Sequence, residues 1–117
     1  MQRIDTESQV RQTSRGGAMN DYIFLMHNDA NDEKRTRGDE WAAYFAQLRQ
    51  VGAFQGGSAI GDGVCMSKAG TPPGITPQLS GYIRVQAESL DRARELVQGN
   101  PVFEAGGTVE IRELPKT

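Results

Sequence analysis

Apolar positions fall into a few groups along the chain, and the period of each group predicts an element. Tyr22 to His27 is apolar on both alternating sets of positions. Such a run belongs to a strand in the middle of a sheet, covered on both sides. Asn28 to Gly38 is polar and charged and reads as a solvated loop. Asp39 is expected to cap the helix that follows, with Glu40 in the first turn, where the helix dipole favours it. Trp41, Tyr44, Phe45, Leu48 and Val51 recur at helical spacing and predict one broad apolar face. Gly52 is placed to end this helix in a left-handed conformation.

Ala53 to Ile60 predicts a second strand, with Gly56 and Gly57 weakening it or marking a bulge. Gly61-Asp62-Gly63 signals a tight turn, and Val64 to Ser67 is expected as the return strand of a short hairpin. Lys68 to Gln78 holds Pro72, Pro73, Gly74 and Pro77 and predicts a loop. Gly81 to Ala87 alternates strictly: Ile83, Val85 and Ala87 share one face, Tyr82, Arg84 and Gln86 the other. Ser89 caps a short helix with Asp91 in its first turn, and Leu90, Ala93, Leu96 and Val97 form its buried stripe. Gly99 and Pro101 end it. A last strand runs from about Thr108 to Leu114, with Val109 and Ile111 on one face and Glu110 and Arg112 on the other.

The order is that of a split βαβ unit, an α+β, ferredoxin-like βαββαβ fold with an extra hairpin. Both helices then cover one face of the sheet. The opposite face, with Tyr82 and one side of the first strand, is left open, and pairing of two sheets in a homodimer is the natural way to cover it.

Met1 to Ala18 stands apart. It is polar, has only Ile4 and Val10 as apolar aliphatics, and ends in Gly16-Gly17. It is expected to be a flexible tail ahead of a domain spanning 19–117, and Met19, two residues before the apolar run, is where a start would make sense. The whole chain has 117 residues, room for one domain. Its net charge of −2 gives no footprint for nucleic acid or an anionic membrane surface, and no apolar run is long enough to span a bilayer. Cys65 is the only cysteine, so no internal disulfide forms, which fits the cytoplasm.

Several stretches resemble the YCII-related family in its DGPF-type branch: the opening strand Tyr22 to His27 with Asn28-Asp29; the helix with Trp41, Tyr44, Leu48 and Gly52; Gly81-Tyr82-Ile83 with Ala87-Glu88-Ser89-Leu90-Asp91; and the close from Val109 to Leu114. The resemblance runs from about Asp21 to Leu114. It implies a dimeric α+β barrel. Some members are encoded near sigma factors of the extracytoplasmic type, which implies regulation; most have no assigned reaction. Two features depart from the family. The Asp-Gly-Pro-Phe signature is replaced by Pro72-Pro73-Gly74-Ile75-Thr76-Pro77, and the helix that carries a histidine in another branch begins here with Asp39-Glu40-Trp41.

Candidate chemistry is sparse. His27 and Asp29, at the end of the central strand, are the one acid–base pair the spacing offers as catalytic residues. Arg84, Glu110 and Arg112 are charged residues on the face away from the helices; they either line a cleft for a small polar or anionic ligand or form ion pairs at the dimer interface. Trp41 is a candidate ligand contact at a pocket mouth, and otherwise core. One histidine and one cysteine give no metal-site spacing, and no motif calls for a cofactor. The leading function is a small-ligand-binding or regulatory homodimer. The rivals are a cofactor-independent enzyme of the isomerase, lyase or oxygenase type, and an RRM-like RNA-binding module stacking bases on Tyr22, Phe24 and Tyr82.

Overall fold

The computed structural model describes residues 19–30 and 38–116. The expected tail, Met1 to Ala18, and most of the loop before the first helix lie outside the described residues.

Strand β1 (Asn20–His27), helix α1 (Gly38–Gln50), strands β2 (Phe54–Ala59) and β3 (Leu79–Ala87), short helices α2 (Leu90–Glu95) and α3 (Pro101–Glu104) and strand β4 (Val109–Leu114) follow one another along the chain. The strands form one antiparallel sheet in the order β2-β3-β1-β4. This is the expected ferredoxin-like arrangement, with the doubly apolar β1 and the alternating β3 at the centre. On β1, Tyr22, Phe24 and Met26 are buried, while Ile23, Leu25 and His27 are half-buried on the opposite face. On β3, Ile83, Val85 and Ala87 are buried beside them. These residues meet Tyr44 and Leu48 of α1 and Ala93 of α2 in one core. Burying a side chain the size of Phe24 in full is worth roughly 1.5–3 kcal/mol.

The helix ends follow local chemistry. Asp39 and Glu40 both sit inside the first turn of α1, which begins at Gly38, so Asp39 is not its cap. At the other end Gly52 adopts φ 75°, Gly52 N–H donates to Arg49 O and Ala53 N–H to Leu48 O, the paired bonds of a glycine-terminated helix. Ser89 Oγ accepts from Arg92 N–H at 3.2 Å and caps α2.

Four further sequence expectations are corrected. Val64 to Ser67 forms no strand; 60–78 is one long excursion in which Val64 and Met66 are 84% and 92% exposed, with no sheet face to bury them. The extra hairpin is therefore absent. Val51 is 65% exposed, because it lies past the last turn of α1. Leu90 is exposed at the first position of α2, before the helix turns its stripe inward. Pro101 does more than end a helix: it opens α3, with Asn100 Oδ1 accepting from Val102 N–H at 2.9 Å and Phe103 N–H at 3.2 Å.

Candidate functional site

At the end of the sheet where β1 finishes and β3 begins, the core is incomplete. Here β2 and β3 present Gly57, Ala59 and Gly81 in place of large side chains. The result is a cavity of about 570 Å³. Trp41 and Phe45 of α1 border it, with ring centroids 5.6 Å apart and planes 33° apart. Pro101, Val102 and Ala105, from α3 and its end, add a third apolar wall. Beside His27 and Tyr82, whose strand positions face the other side of the sheet, the polar side chains among its described lining residues are Asn28, Ser58 and Ser80. All three are engaged, Asn28 Nδ2 donating to Pro77 O at 3.2 Å, Ser80 Oγ to Met26 O at 3.3 Å and Ser58 Oγ to Ala59 O at 2.8 Å. A mostly apolar concavity with a few hydroxyl and amide groups is the usual form of a small-molecule site.

Strand alternation decides which sequence candidates belong to it. Met26 and Ile83, on the helix side of the sheet, line the cavity. His27 also borders it, but its imidazole follows Ile23 and Leu25 onto the open face, where Nε2 lies 3.1 Å from Glu110 Oε1. Glu110 Oε2 in turn accepts from Arg112 at 3.1 Å. The hydrogen bond from His27, then that from Arg112, hold the Glu110 carboxyl below the usual carboxylate range. An ionised carboxylate only accepts, so His27 Nε2 is the donor of this pair.

Asp29 is drawn elsewhere. Its Oδ1 accepts from Thr108 N–H at 2.8 Å and its Oδ2 from Thr108 Oγ1 at 2.7 Å, which pins the entrance to β4 against the exit of β1. Those two bonds lower its pKa. Arg84 is exposed and donates to Gln55 O at 2.9 Å. The structure thus brings Trp41 and His27 to the cavity rim, joins His27 with Glu110 and Arg112 on the open face, and leaves Arg84 and Asp29 apart from both.

The remaining chemistry is quiet. Tyr44 is buried, donates to Leu96 O at 2.7 Å, and burial pushes its hydroxyl up to about 12. Among the described residues no group of acids, histidine and cysteine could hold a metal ion, and no helix is long and apolar enough to cross a membrane. Tyr22 and Phe24, which an RNA-stacking platform needs on the open face, are buried against the helices, so that alternative loses two of its three aromatic rings.

The YCII-related domain matches residues 21–116, which takes in every strand but the first residue of β1, all the helices and the whole cavity. The chain belongs to the YCII-related domain family. Among solved structures it is similar to 5-chloro-2-hydroxyhydroquinone dehydrochlorinase (TftG) from Burkholderia phenoliruptrix AC1100, in complex with 2,5-dihydroxybenzoquinone, at 20% identity over 82% of this chain and 95% of that chain, with a TM-score of 0.48. No curated protein sequence matches it. For this YCII-related chain, the residues that sequence reasoning missed are Gly57, Ala59 and Gly81. The signal was present as small residues on strands, which mark close backbone approach.

Proposed function

We propose that this chain is a cytoplasmic homodimer that binds a small, uncharged, largely apolar ligand in the cavity at the end of its sheet, with binding rather than turnover as its role. The observation that carries this reading is the cavity itself: apolar on three sides, with no carboxylate, lysine or arginine among the described residues that line it. An anionic ligand would meet no lysine or arginine among the described lining residues, and burying a charge without a partner is costly. The arginines that might have served it, Arg84 and Arg112, bond to Gln55 O and to Glu110 instead. The homodimer is supported by the open face, where Ile23, Leu25 and Tyr82 are half-buried among charged pairs and no described helix covers them. Pairing of two such faces covers them both.

A thermal-shift screen of small neutral aromatics beside small carboxylates tests the ligand class. Neutral compounds should raise the melting temperature of the parent and leave an Ala59→Phe variant, whose cavity is filled, unmoved. Stabilisation by carboxylates alone, or equal stabilisation of the filled variant, overturns the reading.

A second reading, a cofactor-independent acid–base enzyme, is favoured by the 3.1 Å contact between His27 and Glu110. A histidine that gives one ring nitrogen to a carboxylate keeps the other as a base. In this reading His27 is the base, Glu110 orients it, and Asp29 holds the strand ends. His27→Gln separates the two readings: ligand affinity survives in both, and turnover of any bound compound is lost only in the second.

A further inference from the structure

The cavity has a shape as well as a polarity. One wall is the Trp41–Phe45 pair, two rings only 33° from parallel. The sheet contributes Gly57 and Gly81, where an added side chain would press on the backbone of the neighbouring strand. A Cβ at Gly57 would come within 2.6 Å of Tyr82 O, and one at Gly81 within 3.2 Å of Ser58 O. One wall is therefore aromatic, and the other is bare backbone.

We infer that the ligand is a planar aromatic molecule, seated flat between the Trp41–Phe45 rings and the backbone of the sheet at Gly57 and Gly81. This rests on the cavity reading above and narrows it. A flat ring meets the aromatic wall in offset or tilted stacking, which adds to the gain from area alone. A puckered saturated ring of the same polarity is thicker and gains no stacking. Ala59 finishes the floor and is exposed on edge strand β2, so a larger residue there enters the slot without disturbing the core. Ser58 Oγ turns back to Ala59 O at 2.8 Å, so the floor carries little free polarity.

Calorimetric titration with 2-naphthol and its saturated counterpart decahydro-2-naphthol tests this. Trp41 is the chain's single tryptophan, so its one indole N–H resonance reports whether the bound compound lies against that ring. The expected result is an affinity about tenfold higher for 2-naphthol, the size of one good stacking contact, with the indole resonance moving as it binds. Ala59→Leu should abolish binding of both. Trp41→Leu, which keeps an apolar wall but removes the flat ring, should bring the two affinities together. Equal affinity of the two alcohols for the parent overturns the planar inference and leaves the cavity reading in place. Failure of both to bind overturns both.

Discussion

The two faces of the sheet are built from the same strands and do different work. On the helix side, Tyr22, Phe24, Met26, Ile83, Val85 and Ala87 are buried within one core. On the open side, the intervening positions hold Ile23, Leu25 and Tyr82 among Arg84, Glu110 and Arg112, none of them fully buried. One face therefore carries the fold's stability, and the other is the one that the proposed dimer would cover. The cavity belongs to the first face, at the end where Gly57, Ala59 and Gly81 interrupt its packing. The proposed ligand site occupies a gap in the core, while the charged residues, which look more like chemistry in the sequence, lie on the other side.

The comparison breaks most visibly at Phe24 and Leu25, neighbours that point to opposite faces. Phe24→Ala, at a fully buried position, should cost about 3–5 kcal/mol and bring unfolding to much lower urea. Leu25→Ser should cost the protomer far less and instead turn the proposed dimer into a monomer by light scattering. Similar stability losses from the two changes would erase the distinction between the faces.

A smaller effect is expected at Gly57. An alanine there collides with Tyr82 O, so Gly57→Ala should destabilise the β2–β3 pairing by about 1–3 kcal/mol, the range for overpacking. Hydrogen exchange should localise the change to β2.

Tyr44 sharpens the account of the helix side. Tyr44→Phe removes its bond to Leu96 O and should cost about 1–2 kcal/mol. Its folded pKa of about 12 lies above the ordinary value near 10, so the neutral hydroxyl is favoured in the native state. Its stabilising contribution is complete below pH 10 and fades as pH rises toward 12. The parent should lose stability across that window more steeply than Tyr44→Phe.

The smallest effect lies where β1 hands over to β4. Asp29 has a lowered pKa through its two bonds to Thr108, so its contribution is present above the unfolded carboxylate value and is lost as pH falls through the folded one. Thr108→Val removes the bond from the hydroxyl and should flatten the acid end of the stability profile. An unchanged acid limb would mean that the bond is too exposed to matter.

Much of this was legible in the sequence because periodicity reports burial directly. The runs in β1, α1, β3 and α2 alternate or recur at the spacing of their elements, and element order alone then implied the sheet. Helix α3 was missed because four residues are too few to show a period, although Asn100-Pro101 carried the cap and first-turn signals. Val64 to Ser67 looked like a strand because its apolar residues follow a tight turn; pairing, which no local pattern reports, never occurs. The site was harder to see. Alternation placed Glu110 on the open face, but its meeting with His27, 83 positions away, depends on the register in which Leu25 stands opposite Glu110. The cavity was least legible of all, since it arises from side chains that are absent.

The most direct measurement is an amide map of the folded chain by two-dimensional NMR during titration with 2-naphthol. The account predicts that amides at Gly57 to Ala59, Ser80 to Ile83 and Val102 to Ala105 move together along one saturable curve, while those of β4 stay in place. Shifts concentrated on α2 and β4, or no saturable shift at the end of the sheet, would contradict it.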